Sequence, residues 1–409
     1  PAMTPEIKLK RNLNLPLLVL YGLGTTIGAG IFVLTGKVAG KAGMHAPVSF
    51  LMASLLAMFT AISFAELSSR YPRSAGEAVY VREGLNIPFM ALLVGILVAM
   101  AGTVSAAAIV NGSVGYITQF LPIPRLVLMI AIPFAIGLIA VWGIKESVVI
   151  ASVLTLVEIG GLGLVVWAGS ASLADLPARL PELIPSLDGA AWSGISIGAM
   201  LAFYAFLGFE DMVNVAEEVR EAPRTLPTAI FLTLLITTLL YVLVALVAVL
   251  SIPSGELAAS GAPLTLIYER GSGGDGHLVT LISVFAILNG ALIQIIMVSR
   301  IFYGLADQDL LPKALATINP VTRTPLTATV LVTAMVSSFG IWLPIEPLAV
   351  AASSITLVIF ALINLSLLRI KWRVPAPEGA QTYSVLFPLT GFVVSLGFLI
   401  HHSISYLDL

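Results

Sequence analysis

Long apolar runs separated by short polar joins dominate the chain. They fall near residues 16–42, 45–69, 88–120, 125–143, 147–171, 194–216, 226–252, 278–304, 326–343, 346–369 and 384–404, eleven in all. Each is close to or beyond the roughly 20 residues a helix needs to cross a hydrocarbon core of about 30 Å. Lipid offers backbone groups no hydrogen-bond partner, and the period-two alternation of a membrane barrel is absent, so every run is predicted to be a helix. Two of them are interrupted at matching places. Gly22-Leu23-Gly24-Thr25-Thr26-Ile27-Gly28-Ala29-Gly30 breaks the first, and Tyr204-Ala205-Phe206-Leu207-Gly208-Phe209-Glu210-Asp211 breaks the sixth. Five spans separate the two breaks, and five is odd, so two such five-helix units would lie upside down relative to each other. Paired interrupted helices in inverted halves are the strongest sequence pointer to a transporter's binding site. The pattern divides the chain into an N-terminal segment (1–15), a first five-helix repeat (16–171), a loop (172–193), a second inverted repeat (194–370) and an eleventh helix with its tail (371–409).

Composition agrees with the span count. The 409 residues are 58% hydrophobic and 10% charged, with a mean hydropathy of +1.03, whereas a soluble domain carries about a quarter charged residues. A water-soluble enzyme or binding module is excluded. A formal charge of -2 leaves no basic surplus for nucleic acid. With no cysteine there are no disulfides or thiolate metal sites, and the four histidines have no metal-ligand spacing. Numbering the span ends alternately puts fifteen lysines and arginines on the side of the N-terminus and five on the other, which accounts for all 20. By the positive-inside rule the protein is expected in the cytoplasmic membrane, with the N-terminus inside and, after eleven spans, the C-terminus outside. Pro1-Ala2 reads as a scar ahead of an initiator Met3, and no cleavable signal pattern precedes the first apolar run.

The first break has a chemistry of its own. Three glycines within seven residues favour unwinding at mid-membrane. The N–H groups freed at Gly28, Ala29 and Gly30, at the positive end of the following half-helix, suit a carboxylate. The competing reading is close packing, because Gly24-x-x-x-Gly28 and Gly36-x-x-x-Gly40 both fit small-residue helix contacts. In the second break Phe203, Tyr204, Phe206 and Phe209 supply aromatics to close over a ligand or simply to pack.

Four stretches resemble the amino acid–polyamine–organocation (APC) permeases. They are Gly24-Thr25-Thr26-Ile27-Gly28-Ala29-Gly30-Ile31-Phe32, Phe64-Ala65-Glu66-Leu67-Ser68-Ser69-Arg70-Tyr71-Pro72, Gly208-Phe209-Glu210 through Ala216-Glu217-Glu218-Val219-Arg220, and Ser299-Arg300 through Leu310-Leu311-Pro312. They occur in the family's order from about residue 12 to residue 370, although many members have twelve helices. The resemblance implies an all-α, 5+5 inverted-repeat transporter with helices 1 and 6 broken. It also implies a substrate carboxylate on the first-break amides, an ammonium on the carbonyls of Thr26, Tyr204 and Leu207, and Tyr204 as gate. The expected substrate-binding set is therefore Thr26, Ile27, Gly28, Ala29 and Gly30 with Tyr204, Phe206, Leu207 and Gly208.

Ionisable groups inside lipid are functional candidates by default. Glu158 is the most isolated, at a stretch where several proton-coupled relatives carry lysine. It reads either as a proton-coupling group or as a neutral acid hydrogen-bonded to a neighbouring helix. Glu210, which matches a family glutamate, is a second coupling candidate, with hydration in a vestibule as its rival. Glu66 is expected to pair with Arg70 or Arg300 and help hold an inward gate. Asn111 and Asn289 are expected to bridge helices. The middle of helix eight has no adjacent hydroxyl pair, so sodium is disfavoured.

The expected function is secondary transport of amino acids by alternating access, with small neutral L-amino acids as substrate, a proton as coupling ion and no cofactor or metal. The small, uncharged stretch Ala101 to Ala108 on helix three favours the neutral substrate. The alternatives are a cationic amino acid or polyamine transporter or exchanger, and a sensor of the same fold; an enzyme would need a nucleophile–base pair or metal cluster, and neither is seen. The sequence does not address a partner subunit.

Overall fold

A computed structural model describes residues 9–120, 122–343 and 345–407 of the protein. Its helices run in the order α1 (Leu15–Ala42), α2 (Ala46–Arg70), α3 (Gly76–Leu85), α4 (Pro88–Phe120), α5 (Arg125–Trp142), α6 (Ile144–Ala168), α7 (Leu176–Leu183), α8 (Gly189–Ala205), α9 (Ala222–Ser251), α10 (Ser254–Ala259), α11 (Pro263–Ser272), α12 (His277–Asp307), α13 (Leu326–Trp342), α14 (Ile345–Arg373) and α15 (Leu386–Leu407). Among the described residues nine helices are long and apolar enough to cross a membrane, and Leu326–Trp342 and Leu386–Ile400 add two shorter apolar ones. Together they coincide with the eleven expected spans. The remaining short helices fill the joins.

Local sequence explains the ends. Asn14 caps α1, its side chain accepting from Leu17 N at 3.2 Å, and Pro16 stands in the first turn, where a missing N–H costs nothing. At the far end Gly43 takes φ 57° as the chain turns into α2.

Four pairs of helices offset by five spans touch each other: α1 with α8, α2 with α9, α4 with α12, and α5 with α13. The two halves therefore interleave. α1 lies at the centre, against α6, α8, α9 and α12. Phe64 of α2 anchors the adjoining core edge-on against Tyr80, Phe209 and Phe360, at ring separations of 5.7 to 6.4 Å. Large apolar side chains such as Leu126, Phe134, Leu156 and Leu239 are exposed on the flanks of the spans, the distribution required of a surface that faces lipid.

Candidate functional site

Both predicted breaks are present, and they cross. In α1 only Gly28 leaves helical geometry, at φ -4° and ψ -153°. Its neighbouring glycines sort by what a side chain would meet. A Cβ on Gly24 would strike Thr155, Asn289 and Ile293, one on Gly36 the Leu257 carbonyl, and one on Gly40 the side chain of Ala258. Those three are packing glycines. A Cβ on Gly28 meets nothing within 4 Å, so the helix break opens onto empty space. The side chain of Ala29 lies outside the described residues. Ile27 is fully buried, and Thr26 turns its hydroxyl back to the Gly22 carbonyl at 2.8 Å.

α8 stops at Ala205, and the chain resumes as a 3-10 helix over Phe209–Glu218. The turn between them depends on Gly208, at φ 118°, a conformation L side chains rarely adopt. A Cβ there would also sit 3.0 Å from the Thr25 carbonyl carbon, and one on Gly30 would lie 3.0 Å from Ala205 Cα. The two broken backbones thus touch on either side of Gly28.

One residue outside the expected set joins them. Tyr241, fully buried on α9, has its hydroxyl 2.7 Å from the Thr26 carbonyl and 3.0 Å from the Ala205 carbonyl. The Thr26 carbonyl expected to be free for an ammonium is therefore already engaged. A phenol has one proton to donate, so at any moment it serves one carbonyl fully and leaves the other a spare acceptor. Phe206, expected at the substrate, is fully buried with its ring 5.1 Å from that of Tyr241. Tyr204 and Leu207 are half-buried; the Tyr204 carbonyl takes a long bond from Leu207 N at 3.4 Å. The sequence reading missed Tyr241; the signal that could have found it is a lone phenol in an apolar helix, which must find a partner.

The carboxylates fall into three groups. Glu158 is fully buried beside the first break, with Oε1 accepting from Asn289 Nδ2 at 2.9 Å. The same amide donates to Thr155 at 3.0 Å, and among the described residues Glu158 Oε2 and Asn289 Oδ1 have no partner. Asn289 thus bridges α12 to α6, and Asn111 bridges α4 to the Gly340 carbonyl at 3.3 Å. Below the second break, Glu210 accepts from Gly208 N at 2.8 Å and Asp211 from Gln294 Nε2 at 2.8 Å. Glu77 of α3, missed in the sequence, accepts from Asn214 Nδ2 at 3.1 Å, while Asn214 Oδ1 accepts from Gly76 N at 3.1 Å. Burial pushes the Glu77 carboxyl up from 4.5 to about 8.

The end of the bundle that carries the N-terminal segment is tied shut by ion pairs. Glu66 receives Arg70 at 2.8 Å, Lys371 at 2.7 Å and the backbone N–H of Tyr383 at 2.9 Å. Arg300, the other partner expected for Glu66, instead pairs with Glu218 at 3.1 Å, both fully buried. α12 directs Arg300 at the end of the 3-10 helix and away from α2. Next to that pair the N-terminal segment forms a clasp, Leu13 N donating to the Glu218 carbonyl at 3.0 Å and Arg220 N to the Leu13 carbonyl at 2.9 Å.

Two interrupted helices crossing at an open space, inside interleaved helical halves, define a transporter of the inverted-repeat class. The amino acid permease profile matches residues 13–405, and the chain belongs to that family of the APC superfamily. It is 28% identical over 402 residues to the branched-chain amino acid permease BcaP of Bacillus subtilis, covering 91% of this chain and 84% of that protein. It is 30% identical over 392 residues to the vacuolar cationic amino acid transporter 2 of Arabidopsis thaliana, covering 90% of this chain but only 61% of that protein. Among solved structures, MhsT in complex with L-phenylalanine superposes with a TM-score of 0.63 over 98% of this chain and 99% of that one, at 15% identity, a likeness of fold.

Proposed function

We infer that the protein carries small neutral L-amino acids across the cytoplasmic membrane by alternating access, coupled to protons. The observation that supports this most directly is the open space over Gly28, flanked by the two places where the broken backbones meet, Gly30 against Ala205 and Thr25 against Gly208. The substrate carboxylate meets the Gly28–Gly30 amides, and its ammonium meets whichever of the Thr26 and Ala205 carbonyls Tyr241 is not serving. Tyr204 closes over it. The small, uncharged stretch Ala101 to Ala108 favours a neutral side chain, and Glu210 and Asp211 each already accept a bond, from Gly208 N and Gln294.

Glu158 carries the proton. Its unpartnered Oε2 accepts it, and its place beside Thr155 and Asn289, which pack on Gly24, transmits the change to the first break. The N-terminus faces the cytoplasm, and the clasp with the Arg300–Glu218 pair forms the inward gate.

Counterflow uptake in proteoliposomes, with neutral and cationic amino acids and polyamines as separate substrates, tests the assignment. Exchange of small neutral L-amino acids is expected. Exchange confined to arginine, lysine or polyamines would establish the cationic reading that the buried carboxylates keep open, and binding without exchange would make the protein a sensor.

A further inference from the structure

At the end of the bundle with the clasp, a cavity of about 820 Å³ lies between three separate pieces of chain. The N-terminal segment contributes Lys10 and Arg11, the turn from α5 to α6 contributes Trp142 and Glu146, and the loop before α13 contributes Val321 and Arg323. Lys10, Arg11 and Arg323 are exposed, and among the described residues none of them has an ion-pair partner. Three cations thus converge on one cavity whose lining holds a single carboxylate, that of Glu146, which folds back over Gly143; Arg11 also lies in the field of Glu217. Two apolar side chains of the lining are also exposed, Trp142 at 64% and Val321 at 87%. An exposed tryptophan at a span end marks the headgroup level of a bilayer.

We propose that this cavity binds the phosphate of an anionic phospholipid headgroup, with Lys10, Arg11 and Arg323 as its ligands. Three cations beside an exposed tryptophan and valine suit a molecule that is anionic at one end and apolar at the other, and basic pockets between spans at the cytoplasmic face are suited to such headgroups. Trp142 and Val321 set a lipid apart from free phosphate, which has no use for them. The assignment to the inner leaflet rests on the orientation inferred above.

The site has a consequence for gating. Lys10 and Arg11 lie two or three residues before Leu13, whose backbone pairs with Glu218 and Arg220, and Arg220 Nε also donates to the Arg11 carbonyl at 3.3 Å. A headgroup that fixes Lys10 and Arg11 holds the clasp closed, so anionic lipid favours the state that is shut on this side.

The full chain, reconstituted in phosphatidylcholine with and without phosphatidylglycerol and released for native mass spectrometry, tests the site. The wild type is expected to retain phosphatidylglycerol, with retention falling about fivefold for each cation removed in Lys10→Gln, Arg11→Gln and Arg323→Gln. A charge-matched variant elsewhere on the same face, Lys313→Gln/Arg369→Gln/Arg373→Gln, should retain lipid as the wild type does. Equal retention by the pocket variant, or equal loss in both variants, overturns the proposal. Thermal stabilisation by inorganic phosphate that matches the effect of the lipid overturns it in favour of a free-phosphate site. The native chain has no cysteine, so labelling Lys313→Cys with an impermeant maleimide in vesicles of known sidedness reports orientation separately. An external label with intact lipid retention would refute the inner-leaflet assignment and leave the headgroup site standing.

Discussion

Gly28 has no side chain, and the volume its Cβ would enter is empty, while the glycines around it are pressed against neighbours. The two kinds of glycine predict opposite phenotypes. Gly28→Leu should lose substrate-induced thermal stabilisation, because the new side chain fills the space over the first break without striking any packed neighbour. Gly24→Ala should instead lower the melting temperature, since it drives a methyl into Thr155, Asn289 and Ile293 at a cost of about 1–3 kcal/mol. Loss of stability in the first variant with binding kept would remove the open space from the site. Tyr241 tests the crossing itself. Tyr241→Phe keeps the ring on Phe206 and removes the proton shared by the Thr26 and Ala205 carbonyls, so it should cost about 1–3 kcal/mol in thermal unfolding and weaken binding as well. The glycine motif was legible in the sequence, but which glycine packs and which opens was not. That depends on where α6, α8, α10 and α12 place their side chains.

The 3-10 helix Phe209–Glu218 is held at its C-terminal end and at its middle. Arg300 grips its last residue, and Glu77 of α3 reaches its middle through Asn214. Arg300→Ala should destabilise by about 3–5 kcal/mol, because Glu218 is left charged and unpaired in a dry interior, whereas removing both charges together with Glu218→Gln and Arg300→Met should cost much less. Urea titration of the four combinations measures the difference as a double-mutant cycle. Glu77 adds a pH dependence of definite sign. Its folded pKa of about 8 exceeds the ordinary 4.5, so between those values the folded state binds more protons than the unfolded one. Its contribution is therefore complete below pH 4.5 and is lost as pH rises through 8. The melting temperature of the wild type should fall more across that window than that of Glu77→Gln; parallel curves would mean that Glu77 is already ionised. The acidic end of helix six was visible as Glu217-Glu218, but its partners come from α3 and α12, far away in the chain. The expected link from Glu66 to Arg300 failed for the same reason, since helical spacing predicts the Arg70 contact four residues away and says nothing of which distant cation arrives.

For the whole molecule, uptake should depend on both breaks and on Glu158 in separable ways. Glu158→Gln keeps a partner for Asn289 and should preserve counterflow exchange while abolishing accumulation driven by an imposed proton gradient. Accumulation by that variant equal to wild type would remove Glu158 from the coupling step. The number and helical nature of the spans and the places of the two breaks were determined by the sequence alone, because lipid forces each long apolar run to satisfy its own backbone and glycine weakens a helix wherever it stands. Family membership was equally legible, since the four motifs are local strings. Only the tertiary structure decided that the breaks touch, that a tyrosine from α9 bridges them and that Arg300 serves Glu218. Contacts between distant segments depend on the relative placement of whole helices, which neither local periodicity nor local composition encodes.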